Sequence, residues 1–144
     1  MCLSEAKGMD IIMKINIVVK KTLPSGQKAN VSAIIMGQFG RDIPMIYTEP
    51  VTDASGIKHA GISVNVVILD GGGGQLFTLI EQARKSEVTY VVFSATGQLL
   101  SNNYSEYNHK ISISDTESTE IIGVGVCGED EVVKLLTKKF SLAK

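Results

Sequence analysis

One stretch limits what this chain can become. Lys14 to Gly40 reads K-I-N-I-V-V-K-K-T-L-P-S-G-Q-K-A-N-V-S-A-I-I-M-G-Q-F-G. Ile15 to Val19 is rich in β-branched residues and apolar enough to be covered on both faces, as a central strand between helices would be. Two lysines, Pro24 and Gly26 break the run, because proline cannot donate to a ladder. A helix is expected from about Gly26 to Met36. Ala29, Ala33 and Met36 would lie on one side, with Val31, Ile34 and Ile35 widening the stripe. Gly37 and Gly40 read as stops. In open α/β sheets ligands gather where such a strand hands over to its helix.

The same alternation recurs downstream. Ser63–Leu69 reads as a second strand, Gly74–Lys85 as a helix, Val88–Ser94 as a third strand and Ile121–Cys127 as a fourth. Glu129–Phe140 reads as the last helix, with acids at its start and lysines near its end, the order favoured by the helix dipole. Residues 41–60 read as a long loop punctuated by Pro44, Pro50 and Gly56, with turn chemistry at Asp53–Gly56. A loop of that length is often a lid or part of a site. Residues 95–119 are the hardest to place. The alternation of Ile111 and Ile113 with serines hints at a short edge strand.

Composition excludes several classes. The 144 residues carry a net charge of −1, so no global field recruits nucleic acid or an acidic membrane. No apolar run approaches the ~20 residues needed to cross a bilayer. Cys2 and Cys127 are not spaced as metal ligands, so no metal or cofactor is expected, and a reducing cytoplasmic compartment is the default. Residues 1–12 read as an N-terminal tail and 13–144 as one α/β domain.

Several motifs invite chemistry. Gly123-Val-Gly-Val-Cys-Gly128 spells G-x-G-x-x-G before a helix. No further strand follows to carry a ribose-binding acid, and Glu129 and Asp130 would repel a pyrophosphate. The run is better read as a strand with close backbone contacts. Gly71–Gly74 could cradle an anion at a helix N-terminus but lacks the Lys-Ser/Thr pair of a P-loop, so it reads as a flexible turn. Lys20, Lys21, Gln27, Lys28 and Asn30 cluster around the first strand-to-helix break, where free helix N–H groups and lysines could hold a carboxylate, phosphate or carbonyl oxygen. Asn30, lying on the apolar stripe, would need buried partners. His59 closes the long loop beside Asp53, while His109 sits in a polar segment and reads as surface.

The segments L-P-S-G-Q-K-A-N-V-S-A, D-A-S-G-I-K-H-A-G-I-S, I-G-V-G-V-C-G and L-T-K-K-F-S-L together resemble a bacterial family of unknown function, DUF2000, over about Lys14 to Lys144. That family is similar to the peptidyl-tRNA hydrolase II group in fold. The resemblance implies a three-layer α/β/α sandwich on a four-stranded mixed sheet, commonly a homodimer, ending in T-x-[KR]-[FY]-x-L, here Thr137 to Leu142. Hydrolases of that group place a lysine directly after the first helix glycine, where this chain has Gln27, and a histidine where Ile34 aligns. Peptidyl-tRNA hydrolysis therefore needs Lys28 or Lys20 as a substitute.

The resulting expectation is a small-ligand-binding or enzyme-like module. His59 would serve as acid or base and Lys20 as the attracting charge, with Gln27, Lys28, Asn30 and Asp53 binding the ligand. Helix one and the loop through His59 would flank one pocket. The alternatives are an esterase acting on peptidyl-tRNA or a related aminoacyl ester, and a non-catalytic homodimer.

Overall fold

The computed structural model describes residues 12–144. The tail expected over 1–12 therefore lies outside the described residues except for Ile12, whose carbonyl accepts the backbone N–H of Asp130 at 2.8 Å. The architecture is mixed α/β. A five-stranded sheet carries β1 (Met13–Lys20), β4 (Asn65–Gly71), β5 (Thr89–Ser94), β6 (Ile121–Glu129) and β7 (Ser141–Leu142) in the order β5-β6-β1-β4-β7. Of the neighbouring pairs only β1 and β4 run parallel, and their register sets Val19 beside Asp70 and Lys20 beside Gly71. β6 runs antiparallel to both β1 and β5, and β7 runs antiparallel to β4.

The expected four strands become five because the last helix ends early. It spans Asp130–Thr137 (α5), not Glu129–Phe140. The chain then turns, and Leu142 and Ser141 pair with Leu69 and Asp70. Gly71 permits this, since a Cβ there would lie 2.8 Å from Val18 and 2.9 Å from the Phe140 ring.

Both faces of β1 are covered. Ile15, Ile17 and Val19 pack with Val31, Ile35 and Phe39 of α1 (Ser25–Asp42). On the other face Val18 packs with Leu76, Leu79 and Ile80 of α2 (Gly73–Arg84) and with Val133 of α5. The glycines of the G-x-G-x-x-G run lie under α1. A Cβ on Gly123 would collide with Val31, and one on Gly125 would meet Ile35 and Phe39 at 2.6 Å. The motif is a bare strip of strand on which a helix rests, the close approach that only glycine allows.

α1 runs straight through the expected stops at Gly37 and Gly40. Its buried line is Lys28, Val31, Ile35 and Phe39, so the stripe is rotated from the one expected, and Ala29, Asn30, Ala33 and Ile34 are exposed. Each glycine inside a helix costs about 1 kcal/mol, less than the burial of Ile35 and Phe39 returns. The stop is Pro44, which disfavours helical backbone at Ile43.

The long loop holds a 3₁₀ turn at Pro44–Ile46 and a hairpin of β2 (Val51–Thr52) and β3 (Lys58–His59). The edge strand suggested near Ile111 is helical instead. Residues 95–119 form α3 (Ala95–Leu99), α4 (Tyr104–Ser112) and a 3₁₀ turn at Thr116–Ser118. Asn103 caps α4 by accepting the Glu106 N–H at 3.2 Å. The N-x-x-E spacing signals that start, and it outweighs two alternating isoleucines.

Gly125→Ala should push α1 off the sheet, at a cost of about 2 kcal/mol for overpacking. Gly37→Ala, where nothing lies within 4 Å of the added carbon, should be neutral or stabilising. Urea unfolding of both variants checks this, and equal effects would contradict the packing described.

Candidate functional site

The carboxyl ends of the two parallel strands, β1 and β4, build a cleft of about 660 Å³. Leu23, Pro24 and Ser25 form the wall where β1 gives way to α1. Lys28 and Asp70 lie at the base, with Gly71 and Gln75 beyond. Lys139 and Ser141 come from the last segment, and Lys21 and Lys144 complete the lining. Four lysine side chains therefore face a single side-chain carboxylate.

Lys28 sits one turn into α1 on its sheet-facing side, and is only 7% exposed. Its Nζ donates to Asp70 Oδ1 at 2.9 Å and to the Lys144 carbonyl at 3.1 Å. Asp70 Oδ2 accepts the Lys144 backbone N–H at 3.1 Å. An ammonium has three donors, so one of Lys28's remains for a ligand oxygen. Burial alone would raise the Asp70 carboxyl. The hydrogen bonds from Lys28 and Lys144 and their positive charges outweigh burial and hold it below the ordinary carboxylate range.

The tail motif T-K-K-F-S-L assembles this corner residue by residue. Thr137 is buried and accepts a 2.7 Å hydrogen bond from Asn16 Nδ2. Phe140 fills the space left by Gly71. Lys139 and Ser141, on either side of Phe140, line the cleft.

The other residues expected to share this site are dispersed. Lys20 forms a 2.7 Å ion pair with Glu120 and lines a separate hollow with Phe77 and Thr119. Gln27 is exposed in the first turn of α1. Asn30 is exposed too, and its Oδ1 accepts from Gln98 Nε2 at 3.1 Å, so the buried partners expected for it are not needed. Asp53 and His59 meet each other on the hairpin, where His59 Nε2 donates to Asp53 Oδ2 across 2.7 Å. Asp53 Oδ1 also accepts the Ser55 and Ile57 N–H groups. The His59 hydrogen bond, followed by those backbone groups, holds the Asp53 carboxyl below its usual value. Both side chains are well exposed, and the pair ties the hairpin turn.

The hairpin is rooted where Tyr47 bridges to Ile62, and Tyr47 touches Gly40 near the end of α1. Gly40 is twelve residues beyond Lys28 on one helix, a rise of roughly 18 Å. The lining of the Lys28 cleft does not include His59. Asp70, Gln75, Lys139, Ser141 and Lys144 were not among the expected site residues. Asp70 carried a readable signal, a carboxylate closing a strand just before a glycine run. Among the described residues no group of three or more His, Cys, Asp or Glu side chains is placed to hold a metal ion.

Lys28→Met leaves the partly buried Asp70 carboxylate without its cation and should cost about 1–3 kcal/mol at pH 7. The Asp70 value is lowered on folding, so its stabilisation is present above the unfolded value of about 3.9 and fades as pH falls through the folded one. The penalty should therefore shrink below about pH 4. Denaturant unfolding at neutral and acid pH measures it, and a pH-independent penalty would rule out the ion pair as its source.

No curated protein matches the chain. Among solved structures, a protein of unknown function from Agrobacterium tumefaciens superposes with a TM-score of 0.80 at 18% identity, covering 92% of this chain and 98% of its own. That likeness shows the shared fold. A family model matches residues 13–144, so the chain belongs to the family described as protein of unknown function (DUF2000).

Proposed function

We propose that this chain is a small-ligand-binding module whose cleft at Lys28 and Asp70 takes an anion, a carboxylate or a phosphate. The observation carrying this reading is the imbalance of charge in the lining, four lysines to one aspartate, above a buried ammonium with a donor to spare. Asp70 holds the Lys28 ammonium in place, and the exposed lysines draw the ligand in. Ser25, Ser141 and Gln75 offer further hydrogen bonds, and Gln27 precedes Lys28 on α1. The helices on both sheet faces support assignment to a three-layer, peptidyl-tRNA hydrolase II-like sandwich.

The partly buried ion pair also favours a second reading, hydrolysis of a peptidyl or aminoacyl ester. Lys28 lies one position beyond the residue where hydrolases of that group carry their lysine. A fixed cation there could stabilise the oxyanion formed as an ester carbonyl is attacked. Turnover of N-blocked aminoacyl-tRNA by the wild-type chain but not by Lys28→Met would select this reading.

Inorganic phosphate and succinate at millimolar concentration should raise the unfolding temperature, and the shift should fall as sodium chloride rises past ~0.1 M. Lys139→Ala combined with Lys144→Ala should abolish most of that shift while leaving the fold intact. A shift unchanged in the double variant would exclude the cleft as the binding site.

A further inference from the structure

A second cavity, of about 390 Å³, lies on the α2 side of the sheet at its β5 edge. Ile80 and Arg84 of α2, Tyr90, Val92 and Ser94 of β5, and Tyr107 and Ile111 of α4 enclose it, and Ile121 of β6 forms part of the floor. Its volume falls within the range of small-molecule sites.

Two features show that the cavity is constructed. The pairing of β5 with β6 slips between Phe93 and Ser94, so that Phe93 faces Gly123 while Ser94 faces Ile121. The slip sets Ile122 among the α1-side core residues and Ile121 among those on the α2 side. A β-bulge re-aims side chains in this way. Second, the partly buried residues of α4 are Tyr107 and Ile111, one turn apart, and both line the cavity. α4 covers a hollow and buries none of its residues fully.

The lining carries one guanidinium and six hydroxyls, although those of Ser114 and Thr119 already donate to the Lys110 and Thr116 carbonyls. It includes one cation, Arg84, and no carboxylate. Arg84, Tyr90 and Tyr107 have no side-chain partner among the described residues. Ser94 is 4% exposed, and its oxygen accepts from the Gly97 N–H at 3.2 Å, which leaves its own proton to give. An anionic oxygen pair would meet a guanidinium and several hydroxyl donors. Ile80, Val92, Ile111 and Ile121 supply the aliphatic part of the wall, with Ser114, Thr116 and Thr119 beside them. A hollow of about 340 Å³ adjoins the cavity, sharing Thr116, Thr119 and Ile121 and reaching Phe77. Phe77, Ile80 and Arg84 follow one face of α2 at spacings of three and four, so this helix face runs roughly 10 Å from Arg84 to Phe77, and Lys20, Glu117 and Glu120 line the far side of the hollow.

We propose that this cavity binds a small monocarboxylate with an elongated apolar body. Arg84 holds the carboxylate, and the chain lies along Ile80 toward Phe77 beneath α4. The site is separate from the lysine cleft and stands or falls independently of it.

Calorimetric titration with butanoate, hexanoate, octanoate and octanamide tests this. Affinity should rise with chain length, by up to about fourfold for each buried CH₂. Octanamide, with the same body and no charge, should bind at least ~10-fold more weakly than octanoate. Arg84→Gln, at an exposed position that should not disturb folding, should erase that difference, whereas Lys139→Ala should preserve it. The proposal is overturned if octanoate and octanamide bind alike, if Arg84→Gln retains the preference, or if none of the four binds at millimolar concentration.

Discussion

The seating of α1 on the uncovered backbone of β6 is the constraint on which the remaining geometry depends. Where Gly123 and Gly125 leave no side chains, Val31, Ile35 and Phe39 reach the strand itself. That contact fixes the rotation of α1 about its own axis. Lys28 belongs to the same line of residues and is therefore aimed at the sheet, where Asp70 waits at the end of β4. A helix held farther out could turn this lysine to solvent, and the cleft would lose its base.

Much of the framework was legible because buried β-branched runs and helical spacing are strong local signals. β1, β4, β5 and β6 fall within a few residues of their expected positions. What escaped depended on contacts that no local pattern encodes. Gly37 and Gly40 carry every local mark of a helix end, yet tertiary burial of Ile35 and Phe39 carries α1 past them. β7 is two residues long, and it exists because Phe140 finds the space above Gly71. In residues 95–119 the error was one of period, since Tyr107 and Ile111 at helical spacing were passed over in favour of Ile111 and Ile113.

The candidate site divides along the same line. Lys28 was readable from its place beside a strand-to-helix break. Lys139, Ser141 and Lys144 were not, because they come from a segment remote in sequence that reaches the cleft only through its pairing with β4. His59 and Asp53 do meet, but in a local turn, where a carboxylate accepting two backbone N–H groups and an imidazole closes a short hairpin. Proximity in sequence made that pair visible, whereas the larger cleft required the whole sheet.

The flanking of β1 by β4 and β6 has a kinetic consequence. The bond from Asn16 to Thr137 spans 121 positions, and β1 gains its antiparallel neighbour only when β6 has been made. Until then the nascent chain holds a sticky aliphatic ribbon with one side unzipped. Such non-local closure slows folding and prolongs the interval in which the strand can pair with the wrong partner.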